Sequence, residues 1–553
     1  MQPKILADAA CAAFRRAGLW GDKLIVDYVD ENAHATPNKA AIIDSRGTVS
    51  YADLVRRSEN LAARLMARGI GHGDAIAVRA PNWAELPIAH MAANRVGAIF
   101  LPLSEGFAET EMLHLLRTSR ARVLITAFRG AFDVQKFLKK QREKLPHLKQ
   151  VITLRGVPSN EEQSFDTLAD DDGWRSSHGL DHVLRARSHP DAPSHVMVSS
   201  GTTGLPKCSL FSDNNTIVKV LLQYCKSVAQ VTSTDIAAAI APGGTGATGY
   251  NYPILAPLLV GGTSVMLEHW RGNHPEEALR LIEGHRCTYA VVVPTQLSRL
   301  IAVPDVQNYD LRYLRLITNS GAKLPAAVAE SAESLFHSMV QSVYGCSEAG
   351  AATMTSVTDS REQRLHTAGR ALVGQELAIR DDRGNDVGAN CVGEVCWRGA
   401  NKSYGFLNDP EGTNAVWDRA GWLRSGDLGT LDDDGYLRIV GRKKDMIIRG
   451  GQNINPRAIE EILLRHAAVV DVAIAGVPDS VFGERVGAFV VAKSSGCPPS
   501  LHELSSFVVQ QGLAKWNQPE FLFIVDDLPR NAGGKVNKAQ LLEMHQSKVK
   551  LVS

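Results

Sequence analysis

Cysteine is scarce in this sequence and never closely paired. Its eight cysteines, at positions 11, 208, 225, 287, 346, 391, 396 and 497, are spread over 553 residues without one CxxC spacing. That excludes a disulfide scaffold and favours a reduced, cytoplasmic compartment. Excess charge is missing too. A formal net charge of +1 gives no electrostatic reason to expect nucleic acid or an anionic membrane as partner. A long apolar run is also lacking. Residues 236–267 carry no charge, but six glycines and three prolines interrupt them, among them Pro242, Gly243, Gly244 and Pro257. A spanning helix needs roughly 20 continuous apolar residues, so no integral membrane segment is expected. The stretch reads instead as buried, loop-rich interior that lines something. Lys4, Asp8, Arg15 and Arg16 break any apolar run at the start, which argues against a signal peptide. Neither an internal repeat nor a low-complexity segment is present.

What the sequence does contain is an ordinary globular composition, 44% apolar and 22% charged, in a chain too long for one hydrophobic core. Up to about residue 440 helical and strand-like segments alternate. Residues 61–68, 83–96 and 111–117 have helical spacing, and 75–78, 98–103 and 122–126 are short apolar strands. Such alternation predicts βα units with largely parallel sheets. Residues 160–193 are polar and acidic and read as a surface excursion between subdomains. Beyond residue 445 the chain reads as a small α+β unit. Asn455-Pro456 is a helix start, followed by Ile459, Ile462 and Leu463 on one face. Strands are expected over 470–477 and 485–492, and a helix over 502–511. The expected class is α/β: a large N-terminal domain of βα subdomains, residues 1–443, and a small mobile α+β domain, residues 444–553.

The strongest local signal is Ser199-Ser200-Gly201-Thr202-Thr203-Gly204-Leu205-Pro206-Lys207. Two glycines let backbone N–H groups approach an anion, four hydroxyls add donors and Lys207 adds a cation. The spacing is not that of a Walker loop. A strand-like run, 195–198, precedes it. Further along come Tyr344-Gly345-Cys346-Ser347-Glu348, Gly421-Trp422-Leu423-Arg424-Ser425-Gly426-Asp427, Gly441-Arg442-Lys443-Lys444-Asp445 and Asn531-Ala532-Gly533-Gly534-Lys535-Val536. In this order and spacing the five motifs resemble those of the acyl-adenylate-forming family, over roughly residues 25–545. The family includes acyl-CoA synthetases, aryl-acid AMP ligases and luciferases.

The resemblance implies an enzyme that activates a carboxylic acid with ATP as acyl-adenylate, then transfers the acyl group to a thiol. Both partners of the first step are anionic, so catalysis is charge neutralisation and positioning. Lys207, with Ser200, Gly201, Thr202, Thr203 and Gly204, is expected to hold the phosphates. Glu348 is expected to hold Mg²⁺, and Lys535 to contact the carboxylate and the α-phosphate. Ser320, Gly321, Ala322, Tyr344, Gly345, Ser347, Asp427 and Arg442 complete the expected nucleotide site, with Asp427 on the ribose hydroxyls. Lys444 is the implied hinge for rotation of the small domain, and Gly450 and Gly451 the implied passage for the thiol. The nearby Asp432-Asp433-Asp434-Gly435 reads as a hairpin turn.

The acyl pocket is expected around Gly243, Gly244, Thr245, Asn319 and Cys346. Four glycines in 242–249 suggest room and apolar walls with few polar anchors, hence a hydrophobic acid. Three positions depart from the family pattern without removing a needed charge: Cys208 for glycine, Asp213 for histidine and Ser347 for threonine. Coenzyme A is the expected acceptor. A carrier-protein pantetheine arm is the alternative, and a non-catalytic nucleotide-binding homologue a third reading.

Overall fold

The computed structural model describes residues 8–127, 132–156, 158, 163–174, 187–199, 205–450, 452–479, 481–493, 498–530 and 536–544. Contacts divide the chain into two units. The larger holds residues 1–324, 328–376 and 397–423, the smaller 325–327, 377–396 and 424–553. Among the described residues no helix is long and apolar enough to cross a membrane.

The larger unit contains two sheets. One runs in the order Gln163–Ser164, Gln150–Leu154, Val123–Ala127, Ala75–Arg79, Ile99–Leu103, Pro193–Val198, Cys208–Ser212. All its neighbours are parallel except the last pair. Ala75–Arg79, Ile99–Leu103 and Val123–Ala127 are buried at every position, as parallel strands covered on both faces must be. The other sheet places Met339–Cys346, Leu316–Asn319, Tyr289–Val292, Ile236–Ala239, Thr263–Met266 and Ala40–Asp44 side by side, all parallel. The helix Tyr51–Met66 shows why the connections are helical. Ser50 caps it by accepting from the Asp53 N–H at 3.1 Å, and Leu54, Ser58, Leu61, Ala62 and Leu65 are buried along one face.

Two segments differ from what composition suggests. Residues 236–267 are largely buried, as expected, but less loop-rich: between the strands Ile236–Ala239 and Thr263–Met266, Ala247–Leu255 winds as a π-helix and Ala256–Val260 as an α-helix. Tertiary packing overrides the glycines and Pro253 there. Residues 160–193, expected as a surface excursion, supply the edge strand Gln163–Ser164 and the helix Phe165–Asp170. Phe165 is fully buried. The acids behind the polar composition pair with arginines, as Asp166 does with Arg57 at 2.8 Å.

In the smaller unit, Val469–Asp479 and Gly483–Ala492 form a long antiparallel pair, with Ile447–Arg449 and Phe521–Ile524 flanking the latter. Asn455 caps the helix Pro456–Leu463, and Ile459 and Leu463 are buried beneath it. Leu501–Gln510 is the second expected helix. The Asp432–Gly435 turn joins Leu423–Leu431 to Leu437–Arg442, with Gly435 at φ +80°. Residues 424–443 group with the C-terminal residues, and Asn455 donates to the Val440 carbonyl.

Candidate active site

The strands on either side of the phosphate-loop candidate, Pro193–Val198 and Cys208–Ser212, pair antiparallel. Val198 pairs with Cys208, and the Ser199 N–H donates to the Lys207 carbonyl at 2.9 Å. Ser200, Gly201, Thr202, Thr203 and Gly204 lie outside the described residues. Lys207 lies inside them. Its Nζ sits 4.5 Å over the Phe406 ring and 3.8 Å from Asp409 Oδ2. Cys208 fills the strand that follows, and burial pushes its thiol up to about 12. It is a packing residue rather than a nucleophile. Asp213 is fully buried and accepts from Ser194 Oγ at 2.6 Å, the Ile25 N–H at 2.9 Å and Asn94 Nδ2 at 2.8 Å. It ties three segments together.

The second group of candidates emerges where parallel strands end. Ile236–Ala239, Tyr289–Val292, Leu316–Asn319 and Met339–Cys346 are neighbours, with Asn319 opposite both Val292 and Ser342. Residues 240–246, Val293 and 320–322 therefore leave the sheet at one carboxyl edge, where ligands of α/β sheets bind. Gly321 has φ +87°, and a Cβ there would lie 3.4 Å from Val293 Cγ1 and 3.9 Å from Thr248 Oγ1. The structure thus brings a nucleotide candidate against the acyl-pocket segment. Ser320 is buried with its N–H on the Val292 carbonyl at 3.0 Å, and the Ala322 carbonyl accepts from Asn319 Nδ2 at 2.9 Å.

Met339–Cys346 runs past the parallel sheet and turns at Ser347-Glu348-Ala349 into Gly350–Met354. Tyr344 meets the Trp397 ring edge-on at 5.7 Å. A Cβ on Gly345 would lie 2.3 Å from the Gly350 carbonyl oxygen, so the turn needs glycine there. Ser347 and Glu348 are half-buried on the turn. Burial and the adjoining Glu348 carboxylate push the Cys346 thiol well up.

Three of the four glycines of the expected acyl pocket leave no open room. A Cβ on Gly243 would lie 2.5 Å from Leu86 Cδ2, one on Gly244 2.4 Å from the Leu103 backbone, and one on Gly249 1.8 Å from the Pro242 oxygen. The room these glycines leave is filled by protein. Thr245 turns back on Pro242 through its N–H at 3.0 Å. Gly246 differs from the other three, because only Met197 Cε, 3.3 Å away, faces it.

Residues 401–409, which no motif flagged, connect the two groups. Asn401 Nδ2 donates to the Ala351 carbonyl at 2.8 Å and Ser403 Oγ donates to the Glu348 carbonyl, cradling the turn. Tyr404 and Leu407 then pair with Leu210 and Cys208, which brings Phe406 and Asp409 to Lys207. The polar spacing Asn401, Ser403, Asp409 was the available signal, and it is too weak to find alone.

In the smaller unit Asp427 Oδ1 accepts from Arg442 Nε at 2.6 Å across the hairpin. Gly426, at φ +71°, makes the bend before Asp427. Lys443-Lys444-Asp445 forms a single 3₁₀ turn. Gly450 has φ +56° and its N–H donates to the Phe482 carbonyl at 2.8 Å. Gly451 and Lys535 lie outside the described residues.

Residues 29–407 match the family model described as AMP-binding enzyme, and 458–535 match the AMP-binding enzyme C-terminal domain. The chain belongs to the AMP-binding enzyme family. It is an ATP-dependent, AMP-forming ligase. It is 33% identical over 531 residues, 95% of this chain and 91% of the relative, to the medium-chain fatty-acid–CoA ligase of Escherichia coli (strain K12). It is 29% identical over 548 residues, 97% of this chain and 93% of the relative, to the salicyl-AMP ligase / salicyl-S-ArCP synthetase of Mycobacterium tuberculosis. Among solved structures it is similar to ATP-bound MatB from Rhodopseudomonas palustris. The TM-score is 0.82 at 25% identity, covering 94% of this chain and 99% of that one.

Proposed function

We propose that this AMP-binding enzyme adenylates a hydrophobic carboxylic acid with MgATP and passes the acyl group to the thiol of coenzyme A. The observation that carries the reading is similarity along nearly the whole chain to a ligase named for a medium-chain fatty acid and CoA. In the first step an acid oxygen attacks the α-phosphorus and pyrophosphate leaves. Lys207 and the 200–204 loop neutralise the departing phosphates, and Lys535 neutralises the charge that develops between acid and α-phosphate. Glu348 fits a magnesium ion: it is half-buried, and among the described residues no lysine or arginine pairs with it. A single carboxylate suits Mg²⁺, which takes its other ligands from water and phosphate oxygens. Tyr344 and 320–322 line the adenosine site, Ser347 donates to phosphate, and Asp427, held by Arg442, accepts the ribose hydroxyls.

Thiol transfer requires a different set of groups, because pyrophosphate exit and thiol entry compete for one space. Rotation about Lys444 withdraws Lys535 and brings Gly450 and Gly451 to a narrow pantetheine passage. A carrier-protein arm is the alternative acceptor, supported by similarity over 97% of the chain to a salicyl-AMP ligase that is also named a salicyl-S-ArCP synthetase. ATP–pyrophosphate exchange over a panel of acids tests the first step. AMP release with coenzyme A, compared with release on a pantetheinylated carrier, tests the acceptor. Exchange without coenzyme A–dependent release would replace the CoA reading with the carrier one.

A further inference from the structure

One lysine in the larger unit, Lys219, has no counter-ion among the described residues. Lys219 is completely buried. Its Nζ lies 3.2 Å from Met197 Sδ and 4.5 Å over the Phe211 ring, and among the described residues no carboxylate or carbonyl accepts from it. Burial lowers its pKa to about 7. The surroundings are rich in unpaired polar atoms. Asn251 Nδ2 shares the Met197 sulfur at 3.8 Å while its Oδ1 has no partner, and both ring nitrogens of His195 are unpaired. Both side chains are fully buried. His90, stacked on Phe100, bonds to the Tyr250 hydroxyl at 2.8 Å and completes the cluster. Native interiors rarely leave so many polar groups unsatisfied without a use for them.

Lys219 and Asn251 also sit on unusual backbone. Lys219 belongs to the π-helix Val218–Val228 and Asn251 to the π-helix Ala247–Leu255. π-Helical turns are rare and recur at functional sites. The Met197 side chain reaches both Lys219 and the carboxyl-edge segment. Its sulfur touches Lys219, and its Cε ends 3.3 Å from the Cβ position of Gly246, where φ is +66°. Methionine has three rotatable bonds and adapts readily. Turning it would open a line from Gly246 to the ammonium.

We infer that Lys219 and Asn251 are the distal, anion-accepting end of the acyl site, closed by Met197 when no acid is bound. The acid activated then has an apolar body and a second carboxylate at its far end. Phe211, Tyr250 and the methionine supply the apolar walls, and Lys219 pairs with the distal carboxylate in an environment too dry to leave either charge alone. This rests on the hydrophobic-acid reading above and narrows it.

The test compares kcat/KM, by ATP–pyrophosphate exchange, for hexanedioate, octanedioate and decanedioate with the monoacids of equal length and with the dioate monomethyl esters. At least one dioate is expected to exceed its monoacid and its ester tenfold or more, and Lys219→Met to remove that advantage. Monoacids that equal or exceed every dioate would overturn this inference alone. So would a Lys219→Met enzyme that loses both activities by the same factor. If the variant does not fold, the wild-type series decides by itself. No exchange with any acid of the three series would overturn the hydrophobic-acid reading and this inference with it.

Discussion

Replacing Lys219 by methionine tests the energetics of the buried ammonium independently of any substrate. Burial lowers the lysine pKa from 10.5 to about 7 in the folded chain, so the unfolded chain binds its proton more tightly. Below pH 7 both states are protonated and the folded state carries the whole desolvation cost. Between pH 7 and 10.5 the folded state gives up its proton first, and the cost shrinks as pH rises. At 1.36 kcal/mol per pKa unit the cost is about 5 kcal/mol at pH 6 and about 2 kcal/mol at pH 9. Lys219→Met abolishes it and keeps an unbranched apolar stem in the same space. The variant should therefore be more stable than the wild type, and its advantage should be about 3 kcal/mol larger at pH 6 than at pH 9. The packing change contributes equally at both pH values and cancels. The neighbouring histidines do not blur the comparison: burial lowers His90 to about 3 and His195 well below its usual value, so both stay neutral across this range. Tyr250, also adjacent, is pushed well up by burial and stays protonated. Urea unfolding of both proteins at the two pH values, followed by tryptophan fluorescence, is the measurement. A stability difference that does not change with pH would show that Lys219 is not a buried titrating group, and the distal-anion inference would lose its footing.

Lys535→Ala should lower adenylate formation by about 10²-fold or more, the scale of losing one donor aimed at transition-state charge, while thioester formation from supplied acyl-adenylate is largely kept; equal loss in both half-reactions refutes the role. Lys444→Pro fixes φ near −65° and restricts Lys443 as well. It should slow the second half-reaction selectively, and a wild-type rate of thioester formation from supplied adenylate would exclude residue 444 as the hinge. Gly244→Ala would set a Cβ 2.4 Å from the Leu103 backbone. It should destabilise the chain by about 1–3 kcal/mol, as overpacking does, visible as a lower midpoint in urea, whereas unchanged stability would mean the contact yields freely.

Much of this protein was legible in its sequence, and the reason is that the signals are local. Alternating apolar segments depend on periodicities of two and 3.6 residues, so the βα order of 61–126 could be read directly. Asn455 beside Pro456 and the Asp432–Gly435 turn act through atoms a few residues apart. The motif order carried the family assignment for the same reason: each motif is a short stretch whose chemistry is local. What only the tertiary structure decided depends on segments distant in sequence. Lys219 lies in a run, Val218-Lys219-Val220, that reads as an ordinary helix position. Its complete burial comes from the strand holding Met197 and the helix holding Asn251. The helical winding of 247–255 in spite of Pro253, and the filling of the glycine spaces at 243, 244 and 249, follow from close packing and not from propensity. Residues 401–409 join Lys207 to Glu348 only because strand-like pairing with 208–210 places them there. Burial and proximity are properties of the folded whole, since water is excluded by contacts among residues that the sequence keeps far apart, as Trp20 and Ala400 are, 380 positions from each other.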